Sequence, residues 1–260
     1  MASSKLRLKN KPLIEAIFEL RWFLQQKGVD PSIRVDPNYN ILLGRLYDRI
    51  IKKYPHHEKL PASNMPNEIV GYIVQHRFRV AADTWPLIQI GPGVITLNDT
   101  KNYTWEDFFK RVSDLLKNLI NSYPVRKELK LNMLHLRYID GIEFNFDEDN
   151  IFQFLEDKMK TKIEFHSELF KGTGVKHLPA GFSLDYSFFS NKPKGTIALK
   201  FRRGKLEKKD ALIWETVLEA HNENIPKTEK GIKNWLNSAH SLTSDWFFKT
   251  IEGELFERFK

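Results

Sequence analysis

The chain contains no cysteine. That excludes a disulfide framework, a cysteine nucleophile and any zinc site built on thiolates. No apolar run approaches the roughly 20 residues that a membrane span needs. The basic start, residues 1–12, is not followed by an apolar core, so no secretory leader is expected. Also missing are the glycine-rich phosphate loops G-x-x-x-x-G-K-[ST] and G-x-G-x-x-G, the H-E-x-x-H metalloprotease helix and the G-x-S-x-G nucleophile turn. None of the eight histidines forms a helical i, i+4 pair. The densest group, His56-His57-Glu58, reads as a solvated loop, because adjacent side chains diverge. No metal and no cofactor is expected, no membrane is implied, and the expected location is cytoplasmic. The balance leans away from an enzyme.

What is present is an ordinary globular composition. Of 260 residues, 41% are hydrophobic and 28% charged, which argues against disorder. The net charge of +8 is unevenly spread. Residues 1–130 carry 21 Lys plus Arg against 13 Asp plus Glu, and residues 131–260 balance at 20 each. Such asymmetry points to a polyanionic partner or, more simply, to solubility.

Hydrophobic periodicity divides the chain into two similar series. Residues 13–24 alternate as a strand, with Ile14, Ala16, Phe18, Leu20 and Trp22 on one side and Glu15, Ile17, Glu19 and Arg21 on the other. Pro31 and Pro37 mark a loop. Residues 41–54 repeat at helical spacing, and Pro55 stops them. The stretch to Pro66 reads as an irregular connection. Residues 70–80 alternate again as a strand. Runs 87–90 and 94–97 flank Gly91-Pro92-Gly93 and predict a hairpin. Thr104 is the expected N-cap of a helix carrying Trp105, Phe108, Phe109, Val112, Leu115, Leu116 and Leu119, with Glu106 and Asp107 favourable to its dipole. The second series has a strand over 131–146, with a bulge expected near Asp140-Gly141. A helix around Ile151–Leu155 follows, then strands over 182–188, 196–203 and 212–218. A long C-terminal helix closes the chain. The expected fold is therefore α+β, with two pseudo-repeated β-α-β-β-β-α halves, 1–125 and 126–260. Their antiparallel strands carry long helices on one face, and joining into one continuous sheet is favoured over separate lobes.

Two surfaces suit nucleic acid. One is the strand bearing Gln75, Arg77 and Arg79. The other is the hairpin with Lys200, Arg202, Arg203, Lys205, Lys208 and Lys209. Basic side chains alternating along a strand track phosphates, and Phe189 and Trp214 offer stacking faces. The competing reading is a solvated strand face with lysines guarding an edge. Glu15 and Glu19, four residues apart on a strand, stand about 13 Å apart, too far for a glycosidase-type carboxylate pair. Glu19 is expected to pair with Arg21 instead. The C-terminal helix adds Phe248 and Phe256 outside its main stripe, which points to burial by the other half or by a partner chain.

Two motifs matter together. The first is Pro12-Leu13-Ile14-Glu15-Ala16-Ile17-Phe18-Glu19. The second is Gln89-Ile90-Gly91-Pro92, followed by Asn98 and Trp105. They resemble a sporadically distributed family of bacterial and archaeal proteins of about this length, marked by a P-x-x-E-A-x-x-E opening and a Q-x-G-P segment. The family's patchy distribution resembles that of accessory, mobile or defence-associated genes. The resemblance implies a component of such a system, related to phage defence or to toxin–antitoxin pairs. The missing catalytic signatures, the pseudo-duplicated α+β pattern and the wide aromatic C-terminal helix make the leading expectation a non-enzymatic binding or assembly protein, meeting a protein partner or a second copy through the C-terminal helix. The second is a sheet-based RNA or DNA binder using Arg77, Arg79, Lys200, Arg202, Arg203 and Lys205. The third is an enzyme with a site near Glu15, Glu19, Gln89 and Asn98, which requires those side chains to converge. Folding alone also accounts for most of the motif: Pro12 sets the entry to the first strand, and Gly91-Pro92 and Asn98 suit turns.

Overall fold

The computed structural model describes residues 8–260 except 31, 67 and 101, so the loop residue Pro31 lies outside the described residues. In chain order the elements are β1 (Leu13–Trp22), β2 (Gln25–Gln26), β3 (Arg34–Val35), α1 (Tyr39–Ile50), β4 (His56–Lys59), β5 (His76–Arg79), β6 (Leu87–Gly91) and β7 (Val94–Asp99), then α2 (Trp105–Ser122). They continue with β8 (Leu131–Glu143), α3 (Ile151–Met159), β9 (Ser183–Asn191), β10 (Lys194–Leu206), β11 (Lys209–His221), α4 (Glu229–Thr250) and α5 (Glu254–Phe259). The fold is α+β. One antiparallel sheet of nine strands runs β4-β5-β6-β7-β1-β8-β11-β10-β9, and β2 pairs with β3 in a small separate ribbon. The central pair, β1 and β8, joins the two parts of the chain into a single sheet.

Strand alternation explains why helices cover one side only. On β1, Ala16, Phe18, Leu20 and Trp22 are buried. Leu134 and Leu136 on β8 join them, with Ile95 and Leu97 on β7 and Leu218 and Ala220 on β11. Over these lie Leu42 and Leu46 of α1, Phe108, Val112 and Leu116 of α2, and Trp235 and Leu236 of α4. Farther along the same face, Ile142, Phe201, Leu212 and Trp214 form a second cluster with Leu155 of α3, Ile251, and Leu255 and Phe259 of α5. Each fully buried side chain of this size contributes roughly 1.5–3 kcal/mol, so the two clusters dominate the stability. α4 bridges them, with Ile232 in the first and Phe247 against the second.

Several local expectations hold. The Thr104 side chain accepts from the Asp107 N–H and caps α2. β6 and β7 form the hairpin around Pro92. Gly93 sits at φ +80°, a conformation glycine adopts without penalty. Other expectations are corrected. The connection after Pro55 contains an edge strand, β4, paired with β5. The expected strand over 70–80 is regular only over His76–Arg79. Tyr72 has φ 63°, and residues 70–75 instead fold against the hairpin, with the Tyr72 N–H donating to the Pro92 carbonyl at 2.8 Å. The irregularity expected at Asp140-Gly141 lies opposite, as a register shift between Leu13 and Glu15. The terminal helix breaks at Gly253, φ 106°, into α4 and α5.

Candidate binding surface on the open sheet face

The side chains that alternate with the core project from the other face of the sheet. One row crosses all nine strands: Glu58, Arg77, Gln89, Thr96, Glu19, His135, Glu219, Thr196 and Phe189. Each neighbour in this row is a direct cross-strand partner, close enough to interact. Opposite charges recur along and beside it. Glu19 pairs with Arg21 at 2.5 Å, as expected from their shared face. His135 Nδ1 lies 3.0 Å from Glu219 Oε1, and His221 Nε2 lies 3.2 Å from Oε2. The hydrogen bond from His135 is the main cause that holds the Glu219 carboxyl down at about 2, against the opposing effect of burial. Arg137 reaches Glu215 at 2.8 Å, and Arg202 pairs with the same carboxylate. Glu215 is 3% exposed, so two guanidiniums offset the cost of burying it.

The motif residues divide between the two faces. Glu15, Glu19, Gln89 and Asn98 all project to the face opposite the α-helices, where Asn98 is buried and residues 70–75 cover Gly91 at the hairpin end. Asn98 Nδ2 donates to Glu15 Oε1 at 2.9 Å, and Thr96 donates to Asn98 Oδ1 at 2.6 Å. Gln89 stands between Arg77 and Thr96 in register. Glu15, Asn98 and Thr96 therefore converge, whereas Glu19 turns to Arg21. The remaining motif residues serve the fold. Pro12 is buried and its carbonyl accepts from the Gly141 N–H. Ala16 is fully buried beneath the helices. A Cβ on Gly91 would lie 1.9 Å from the Ile73 carbonyl oxygen, so only glycine admits the 70–75 segment there. Pro92 supplies the carbonyl that receives Tyr72. Trp105 stacks on His240, ring centroids 3.8 Å apart.

The expected nucleic-acid contacts are mostly committed elsewhere. Arg77 and Arg79 both bond to Glu58, at 3.1 and 2.6 Å, and Arg79 also donates to the Thr84 carbonyl. Burial alone would raise the Glu58 carboxyl, yet the two guanidiniums hold it below its ordinary value. Lys200 pairs with Asp185 at 3.0 Å. Arg203 points to the helix side, against Phe146, Asp147 and Asp210. Lys205 is exposed. Of the two stacking residues, Phe189 is 94% exposed, whereas Trp214 is fully buried and offers no face. The aromatic side chains of the C-terminal helices are absorbed by their own chain. Trp246, Phe247, Phe248 and Phe256 are partly buried and pack against the two clusters.

Sequence reasoning missed His135, Arg137, Glu215 and Glu219, and of Glu58, weighed only within the His56-His57-Glu58 group, it missed the pairing with Arg77 and Arg79. The signal for the first four is the charge alternation along two strands, His135-x-Arg137 and Glu215-x-Val217-x-Glu219, whose adjacency the sequence does not state. Among the described residues, no group of three or more His, Asp or Glu is placed to hold a metal ion, and no helix is long and apolar enough to cross a membrane. No protein-family model matches the chain, and no curated protein matches it.

Proposed function

We propose that the protein is a non-enzymatic binding and assembly component, and that its open sheet face receives a protein partner. The observation that carries this reading is the row across nine strands on the face that no α-helix covers among the described residues, where Arg77 pairs with Glu58, Glu19 with Arg21 and His135 with Glu219. A polyanion binder needs cations free to meet phosphates, and here Arg77, Arg79, Lys200 and Arg202 are each matched by a carboxylate. A surface of alternating charge complements another protein of alternating charge, and such complementarity sets specificity and orientation. Polar groups already held in place by their neighbours lose little freedom on binding.

The halves 1–125 and 126–260 are proposed as pseudo-equivalent units. In each, the first strand lies at the sheet centre, the last strand pairs on it, and others follow outward, β1-β7-β6-β5 and β8-β11-β10-β9, with β4 an additional edge strand of the first half that has no counterpart in the second. The pseudo-dyad would pass between Phe18 and Leu136, which are register partners. Glu19 and His135 then lie beside that axis on the open face, at the junction where sites between repeated units commonly form. The motif resemblance supports placing the protein in a prokaryotic accessory system of the defence or toxin–antitoxin kind, with cytoplasmic residence.

The test is purification from native lysate without nuclease, followed by the 260/280 nm ratio and mass spectrometry. A stoichiometric protein partner is expected, retained by a Lys233→Glu variant on α4 and lost from an Arg21→Glu, Lys200→Glu variant that still melts cooperatively. Nucleic acid that leaves at high salt would replace this reading with the RNA or DNA binder. Turnover of a nucleotide abolished by Glu15→Gln would replace it with the enzyme.

A further inference from the structure

The open face balances its charges, but the groove between α1 and α2, at the edge of the helix layer, does not. A cleft of about 370 Å³ opens there, and an adjoining one of about 340 Å³ shares Lys53, Arg111 and Asp114 with it. The first volume is within the range of small-molecule sites, roughly 300–1,000 Å³. Arg49 lines it from α1 and Lys53 from the turn after it, with Arg111 and Lys117 from α2. Lys110 faces the adjoining space. Two acids answer these five cations. Asp114 bonds to Lys53 at 2.7 Å and Asp107 to Arg111 at 2.5 Å. Arg49, Lys110 and Lys117 carry no ion pair among the described residues.

Like charges held across a groove repel one another, and a bound anion reverses the sign of that interaction. The groove also has a floor. Ile50, Ile88 and Leu115 line its base and are each about 2% exposed. The amides of Asn118 and Asn121 stand at its rim, and each offers two N–H donors. This combination of several cations, amide donors and a small apolar base suits a phosphate-rich small molecule. It also accounts for part of the basic surplus of residues 1–130 that the paired open face leaves unexplained.

We propose that the α1–α2 cleft binds a small polyphosphate anion, either free or as the tail of a nucleoside. Arg49 and Lys117 supply the unpaired charges that meet it, and Asn118 and Asn121 donate at the rim. The site is independent of the open sheet face.

The experiment is calorimetric titration of the full chain at low salt with inorganic triphosphate and, separately, with ATP. One saturable equivalent is expected for at least one of them. Arg49→Glu combined with Lys117→Glu should weaken it at least roughly tenfold, the scale of one lost charge-assisted hydrogen bond. Lys176→Glu combined with Lys227→Glu makes the same change in net charge on exposed positions elsewhere, and should alter affinity less than twofold. Should the charge reversal unfold the protein, Lys117→Gln with Asn121→Ala replaces it, checked by circular dichroism. Equal affinity for the two ligands assigns binding to the phosphates alone, and tighter ATP binding adds the nucleoside on the apolar base. No saturable binding of either ligand, or an equal loss in the control variant, overturns the proposal.

Discussion

Replacing Asp140 by asparagine should stabilise the protein at neutral pH. Asp140 is 2% exposed, and its Oδ2 has no hydrogen-bond partner among the described residues. Its register partner is Trp214, whose buried indole N–H is also without one. Burial raises the Asp140 carboxyl from its ordinary 3.8 to about 8. In the unfolded chain the proton leaves near pH 4; in the folded chain it stays until about pH 8. Stability therefore falls as pH rises between those values, by about 1.4 kcal/mol per pH unit. At pH 7 the accumulated deficit is about 4 kcal/mol, which local relaxation trims to roughly 2–3 kcal/mol. Asp140→Asn keeps the side-chain shape and removes the titration. The assay is urea unfolding followed by tryptophan fluorescence at pH steps from 4 to 8. The variant should match the parent at pH 4 and exceed it by roughly 2–3 kcal/mol at pH 7. A difference that does not change with pH, or a variant weaker at pH 7, would refute the picture of an uncompensated buried acid.

Three further outcomes follow from the same geometry. Gly91→Ala should cost about 3 kcal/mol in urea unfolding, because its Cβ meets the Ile73 carbonyl and must push residues 70–75 off the hairpin. Glu58→Gln should cost about 2 kcal/mol, measured the same way, because it leaves the nearly buried Arg79 without its carboxylate. Glu219, held down at about 2 against an ordinary 4.5, contributes stability that is present above pH 4.5 and lost as pH falls toward 2. A third of its side chain is exposed, so screening leaves about 1–2 kcal/mol of this. Glu219→Gln should flatten the acid limb of a stability–pH curve below pH 4.5, and an unchanged limb would contradict its pairing with His135 and His221.

Legibility in the sequence followed the strength of local signals. β1 was readable because Ala16, Phe18, Leu20 and Trp22 alternate without interruption, and the Glu19–Arg21 pair follows from that alternation alone. The cap at Thr104 and the Gly91-Pro92-Gly93 hairpin were readable from turn and capping chemistry. β4 was not, because His56-His57-Glu58-Lys59 has no apolar alternation, and an edge strand needs none. That omission hid Glu58, and with it the neutralisation of Arg77 and Arg79 from 19 and 21 residues away. Residues 70–75 misled in the opposite sense. Val70, Tyr72 and Val74 alternate like a strand, yet the segment is shaped by its contact with Gly91, a tertiary effect that no window around it contains. The aromatic surplus of the C-terminal helices was visible, but its use was not: two hydrophobic clusters on one sheet face need a helix broad enough to serve both. The charged row on the open face depends on strand order, and so emerges only when β8 and β11 are placed side by side.

The central claim is that a protein partner docks on the open sheet face. The most direct measurement is carbodiimide footprinting of carboxylates in the free chain and in its co-purified complex, read by mass spectrometry. Protection is expected at Glu15, Glu19, Asp185 and Glu219, with Glu252 and Glu254 beyond α4 labelled equally in both states. Protection confined to the C-terminal carboxylates, with the open face labelled alike in the free chain and the complex, would contradict it.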